Sequence, residues 1–144
     1  GLLIGARSAN QSVILSGGSQ MLAVVLLALE FIESENKKAF IDQVFIATTG
    51  WLVKDNSLSD LSDLITKKHD VKLLGLVSPL NFKSSKYKEL KAYELGYVKE
   101  GVGAGGMSLL AYLKGFSNED IVSMCQKNLE KMKKIGQIAL DRDY

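Results

Sequence analysis

Three short apolar runs rich in β-branched residues constrain the fold most, because each one stops at a polar or glycine-rich turn. Val13-Ile14-Leu15-Ser16 leads into Gly17-Gly18-Ser19-Gln20. Val44-Phe45-Ile46-Ala47-Thr48 leads into Thr49-Gly50-Trp51. The run from Val71 to Val77 leads into Ser78-Pro79-Leu80-Asn81, where the chain's only proline stops the strand. These are runs rather than apolar/polar alternations, the pattern of parallel strands buried on both faces. Helical periodicity falls over residues 21–34, 58–68, 87–97, 107–114 and 118–134. Strands followed by helices predict an α/β fold, Rossmann-like, with three α/β/α layers and a mainly parallel sheet. The length suits one domain, residues 1–144, with its own core. No internal repeat, low-complexity tract or Pro-rich linker divides it.

Residues 21–32 are almost continuously apolar until Glu30. This predicts a helix buried on nearly all sides, against the sheet or in a subunit interface, and a homo-oligomer is expected. Ser117 is an expected N-cap, with Glu119 and Asp120 in the first turn that follows. Ile121, Val122, Met124, Cys125, Leu129 and Met132 share one face of that last helix. Ser57 or Ser59, with Asp60, opens the helix at 58–68, and Asp55 reads as a turn residue.

Composition narrows the function classes. Apolar residues make up 47% of the chain, a globular proportion, and a net charge of +2 is too small to imply nucleic acid. Lys127, Lys131, Lys133 and Lys134, interleaved with Glu130, form a solvated helix face. The apolar stretch ending at Ile32 is too short to span a membrane, and residues 1–5 lack a signal-peptide pattern. The one cysteine, Cys125, rules out an internal disulfide and suits a reducing cytoplasm. It reads as a small core residue. His69, at a helix end after Lys67 and Lys68, is expected to complement the helix dipole. The chain gathers too few ligands near it for a metal site.

The chemistry-bearing motif is Lys99-Glu100-Gly101-Val102-Gly103-Ala104-Gly105-Gly106, which precedes an apolar helical run. Glycine this dense has a conformational cost, and close approach of backbone to a ligand is one reason to bear it. A helix start offers free N–H groups and a positive dipole end to phosphate or carboxylate. Glu100 stands at the lip of the loop, placed to act as a base. The motif lacks the Gly-Lys-Ser/Thr ending of a P-loop and the preceding strand of a dinucleotide fingerprint, so it names no nucleotide. A flexible turn remains the plain alternative. The Gly17-Gly18-Ser19-Gln20 turn admits the same two readings, anion cradle or tight βα connection. The three strand ends together would line a crevice with hydroxyls and amides. There Thr48 and Thr49 either donate to phosphate or ribose oxygens or cap the strand end. Trp51 either covers an aromatic ring or packs on the edge.

Four segments carry a family resemblance: Val13 to Val24, Ala47 to Val53, Ala92 to Val98, and Lys99 to Gly106. In that order they resemble the nicotinate-nucleotide–dimethylbenzimidazole phosphoribosyltransferase family, in its archaeal and cyanobacterial branch. The Lys-Glu-Gly-Val-Gly-Ala-Gly-Gly match is the most specific, and it is similar to the stretch that holds the catalytic glutamate in the bacterial branch. Members of that family are considerably longer than this chain. The resemblance therefore implies the C-terminal part of a longer enzyme, and the apolar, Met-less start at Gly1-Leu2-Leu3 accords with that.

The resemblance implies transfer of the phosphoribosyl group of nicotinate mononucleotide to a nitrogen of a benzimidazole-type base, a step in making the lower ligand of cobamides. Glu100 would be the general base. Gly101, Gly103, Gly105 and Gly106 would hold phosphate or ribose through backbone N–H groups. Gly17, Gly18, Ser19 and Gln20 would form the opposing cradle, with Thr48 and Thr49 beside it. No cofactor and no metal are implied. The alternative is a binding module that holds a nucleotide or phosphosugar without turning it over.

Overall fold

The computed structural model describes residues 1–54, 56–97 and 103–140. The expected turn at Asp55, the base at Glu100 and the glycine at Gly101 therefore lie outside the described residues. Within them the order is α1 (Leu2–Ser8), β1 (Val13–Ser16), α2 (Ser19–Glu30), α3 (Ser34–Ile41), β2 (Val44–Thr49), α4 (Asn56–His69), β3 (Leu74–Ser78), α5 (Lys88–Glu94), α6 (Ala104–Leu113) and α7 (Asn118–Leu140). The strands form one parallel sheet in the order β1-β2-β3. Val13 lies opposite Val44, and Ile46 opposite both Leu15 and Gly75. This is the α/β, Rossmann-like layout expected from the alternation of runs.

Side chains alternate across a sheet, so Val13, Leu15, Val44 and Ile46 share one face. That face meets Leu22, Val25 and Leu29 of α2, Phe40 and Ile41 of α3, and Ile65 of α4 in the main core. Full burial of each such side chain stabilises the fold by about 1.5–3 kcal/mol. The opposite face receives α6, which touches all three strands. A second cluster sits beyond the strand ends, where Leu80, Phe82 and Val122 pack with Trp51, Tyr93, Tyr112 and Cys125.

Several boundaries differ from expectation. The helix expected over 21–34 ends at Glu30, and a separate α3 begins at Ser34. The polar run Ser34-Glu35-Asn36-Lys37-Lys38 hid α3, whose buried residues come only at its end. α1 was not expected either, and it buries only Leu3. β3 starts at Leu74 rather than Val71, because Asp70 takes a left-handed conformation (φ 51°) after α4 and the chain needs Val71 to Leu73 to reach the sheet. Within the single chain, α2 buries Leu22, Val25 and Leu29, while Val24, Leu27 and the C-cap Phe31 are 43%, 60% and 74% exposed on its outward side.

The start of α7 matches the cap expected of Ser117. Ser117 Oγ accepts from the Asp120 N–H at 3.1 Å, and Asp120 Oδ2 accepts from the Ser117 N–H at 2.9 Å. This is a reciprocal capping box, and the Ser117 bonds hold the Asp120 carboxyl below its ordinary pKa. α4 begins at Asn56, and Ser59, already inside it, donates back to the Asn56 carbonyl.

His69 corrects its sequence reading. Its side chain is only 3% exposed, and Lys37 Nζ stands 3.0 Å from Nδ1. Burial first, then Lys37, lowers its pKa, so the ring is neutral and cannot serve the helix dipole as a cation. Lys37 donating to Nδ1 places the ring proton on Nε2, which lies 3.3 Å from Glu30 Oε1. Among the described residues, no helix is long and apolar enough to cross a membrane.

Candidate functional site

The carboxyl ends of the parallel strands form the candidate site, as open α/β sheets place it. β1 ends at Ser16, and Gly17 follows at φ +153°, where its N–H donates to the Ala47 carbonyl at 2.9 Å. A Cβ on Gly17 would stand 2.9 Å from Met21 Cγ. Glycine here lets the chain turn tightly from strand into helix. Gly18 is the N-cap of α2, and no side chain caps that helix. Among the described residues, no side chain caps the first-turn N–H groups of Ser19 and Gln20, the arrangement that attracts an anion.

α6 reaches the same edge from the other side. Gly103 is its N-cap at φ +106°, a left-handed conformation that favours glycine. Gly105 and Gly106 let the helix lie directly on the sheet. A Cβ on Gly105 would stand 2.5 Å from the backbone of Thr48, and one on Gly106 would stand 2.5 Å from Ser16 Oγ. The Gly106 N–H donates to Ser16 Oγ at 2.7 Å. Its expected service to a phosphate therefore competes with this internal bond. The same bond ties the α6 glycines to the residue just before Gly17-Gly18.

Deeper along α6, Ser108 Oγ lies 2.5 Å from the Ala104 carbonyl and 2.7 Å from Ser78 Oγ. Each hydroxyl has one proton, so Ser108 donates to the carbonyl and Ser78 donates to Ser108. Ser78 also accepts from the Leu80 N–H at 3.2 Å. Ser16, Ser78 and Ser108 thus fix α6 to the strand ends, and sequence reasoning assigned none of them this role.

The two threonines are less open than expected. Thr48 and Thr49 are 3% and 0% exposed, and both are engaged within the protein. Thr48 lines a pocket of about 260 Å³ on the α2/α4 face with Leu22, Val53 and Leu58. A ligand in the open crevice would not meet the Thr49 side chain at all.

Trp51 has a built setting. Its ring stacks on Phe82 at 5.4 Å and meets Tyr93 at 5.0 Å. Its Nε1–H donates to Glu94 Oε1 at 3.1 Å, and the same oxygen accepts from the Phe82 N–H at 2.7 Å. Glu94 thereby holds both the indole and the loop after β3. It lies inside one of the segments that carry the family resemblance, but nothing in its spacing marks it. Burial raises the Cys125 thiol pKa, which accords with a core role.

No protein-family model matches the chain. Matches to curated proteins cover nearly all of it. A UPF0284 protein of Prochlorococcus marinus subsp. pastoris is 78% identical over 143 residues, 99% of this chain and 37% of its own length. One from Parasynechococcus marenigrum is 40% identical over 132 residues, 87% of this chain and 34% of its own. One from Sulfolobus acidocaldarius is 39% identical over 132 residues, 92% of this chain and 35% of its own. The chain thus spans little more than a third of the length of these relatives, and over that span it is similar to UPF0284 proteins.

Proposed function

We propose that this chain is part of a phosphoribosyltransferase that moves the phosphoribosyl group of nicotinate mononucleotide to a nitrogen of a benzimidazole-type base. The observation that carries the reading is the Gly106 N–H to Ser16 Oγ bond. It brings two glycine-rich helix starts, far apart in sequence, to one edge of a parallel sheet. Such an edge suits a phosphorylated sugar, because uncapped N–H groups stabilise phosphate without a metal. Gly17, Gly18, Ser19 and Gln20 at the start of α2 take the phosphate. Gly103 lets α6 begin beside it, Gly105 and Gly106 let that helix lie on the strand ends, and a phosphate contact is proposed for Gly101 as well.

In the reaction the acceptor nitrogen forms a bond to the anomeric carbon as the bond to the nicotinate ring nitrogen breaks. That pair of electrons stays with nicotinate and discharges its pyridinium. The acceptor's N–H proton then goes to a base, the role proposed for Glu100. The test grafts this chain in place of the matching region of the full-length Prochlorococcus marinus subsp. pastoris relative. With benzimidazole and nicotinate mononucleotide, nicotinate should be released. Glu100→Gln should leave nucleotide affinity nearly unchanged and lower turnover by about two to four orders of magnitude. Nucleotide binding without nicotinate release would favour the binding module instead, and turnover within a fewfold of the parent would remove Glu100 from the mechanism.

A further inference from the structure

His69 is the chain's only histidine and the last residue of α4. Its buried ring stands where three helices meet. Lys37 Nζ, from the middle of α3, lies 3.0 Å from Nδ1. Glu30 Oε1, from the last residue of α2, lies 3.3 Å from Nε2. Lys68 Nζ, on α4, holds that same Glu30 oxygen at 2.5 Å. Among the described residues, Lys37, Glu30 and Lys68 are the charged groups that face the ring.

We propose that His69 is a proton-operated latch: its neutral ring binds α3 to α4 through Lys37, and a proton on Nδ1 releases the first turn of α3 while the sheet and the main core stay intact. Three observations support this. First, Nδ1 can accept from Lys37 only while it carries no proton, because an ammonium offers donors and no acceptor. Protonation would set two donors and two positive charges against each other at the same contact. Second, Nε2 is buried without a well-aligned hydrogen bond, although the Glu30 carboxylate stands beside it. Two cations and one anion already surround the ring, so a charged imidazole has only Glu30 to balance it. The proton thus strengthens the α2 side of the contact and breaks the α3 side. Third, α3 is unevenly anchored. Phe40 and Ile41 at its end are 1% and 4% exposed, whereas Ser34 and Glu35 at its start are exposed. That start holds to other elements through Lys37 and through Asn36, which accepts from Arg7 at 2.6 Å. Lys37 is half-buried on a flexible stem, so its ammonium can swing into water and the first turn can lift about Phe40 without uncovering the core.

Burial, and then Lys37, lower the His69 pKa in the closed arrangement, so the open latch binds the proton more readily. Protection of α3 is therefore complete above the open-state value of about 6.5. Below it, protection falls by at most about tenfold per pH unit, the limit for one proton, until the closed-state value is passed. The latch stands independently of the transfer reading.

Imidazole nitrogen NMR of the chain reports on His69 alone. Near pH 8 it should show the Nε2–H tautomer. Amide exchange, corrected for the intrinsic effect of pH, should show Lys38 and Ala39 losing protection in step with the His69 titration. Ile46 and Ala47 of β2 should keep theirs over the same range. His69→Gln can accept from Lys37 but takes up no proton, so its α3 protection should stay level from pH 7.5 to 5. Lys37→Met removes the facing cation and should raise the midpoint of the His69 titration. The latch is overturned by an Nδ1–H tautomer, or by α3 protection that does not change as His69 titrates. Loss of β2 protection in step with α3 would show global unfolding instead, and a pH dependence that survives in His69→Gln would place its cause elsewhere. Should His69→Gln not fold, the parent's tautomer and its two exchange profiles decide the matter.

Discussion

Gly105→Ala isolates what the α6 glycines do for the fold. In an exposed helix interior this change gains about 1 kcal/mol from helix propensity. At Gly105 the new Cβ would stand 2.5 Å from the Thr48 Cα and carbonyl carbon and 2.8 Å from the Ala47 oxygen. These are backbone atoms at the centre of the sheet, so no rotamer change relieves the clash. α6 must withdraw by about 1 Å to restore ordinary contact, which also stretches the Gly106–Ser16 and Ser108–Ser78 bonds. Overpacking of this kind costs about 1–3 kcal/mol; against fixed backbone atoms the upper figure applies, and subtracting the propensity gain of about 1 kcal/mol leaves a net loss of about 2 kcal/mol. For a chain of this size that lowers the melting temperature by on the order of 6–8 °C.

Urea and thermal melts followed by far-UV circular dichroism measure it, and two comparisons make it specific. Gly106→Ala meets Ser16 Oγ and Cβ at 2.5 and 2.6 Å. These are side-chain atoms, so Ser16→Gly added to Gly106→Ala should recover part of its loss. Gly5→Ala in α1 meets nothing within 4 Å and should be neutral or stabilising. A Gly105→Ala protein that melts at or above the parent temperature would refute close helix–sheet approach as the reason for glycine there.

Further outcomes follow from local chemistry. The His69 pKa is lowered by burial, so the unfolded chain binds that proton first, near its ordinary value of about 6.5. The stability due to neutral His69 is complete above that pH. It declines as pH falls through about 6.5 towards the folded-state value, and urea midpoints at pH 7.5 and 5.5 should differ less in His69→Gln than in the parent. Ser117→Ala removes one half of the capping box and should lower the unfolding free energy by about 1 kcal/mol in the same urea melts; an unchanged midpoint would show the cap is redundant there.

How much was legible in the sequence depended on whether a signal was local. β1 and β2 were legible because their apolar runs end at glycine and hydroxyl residues, and the Ser117 cap because its partner is three residues away. α3 was not, because only its last turn is apolar and its packing partners lie on other elements. His69 misled because its sequence neighbours are cations, whereas the group that most constrains it through space is Lys37, from α3. Thr48 and Thr49 looked like ligand donors because hydroxyls at a strand end often are. Thr48 faces the α2/α4 side and Thr49 the side that α6 covers, so their burial is a tertiary fact. Glu94 carries no local mark, and its importance arises only where the loops after β2 and β3 meet.

The glycine motif shows why density alone is a weak guide to ligands. At Gly103 the requirement is a left-handed N-cap, and at Gly105 and Gly106 it is room for the sheet. Three of the motif's four glycines thus have a structural reason to be glycine before any ligand is considered. The argument for an anion shifts accordingly towards α2. There Gly18 caps without a side chain, and among the described residues no side chain caps the Ser19 and Gln20 N–H groups. The α6 glycines retain a part in binding, but an indirect one: by letting the helix lie on Thr48 and Ser16, they bring the end of the motif beside that cradle. If so, Gly105→Ala should weaken nucleotide binding in proportion to the displacement of α6. Lengthening the side chain at Gly18, which has Leu52 Cδ1 3.0 Å from its would-be Cβ, should weaken binding at the phosphate itself. Phosphorus NMR of bound nucleotide separates the two, because only the Gly18 change should move the shift of the bound phosphate.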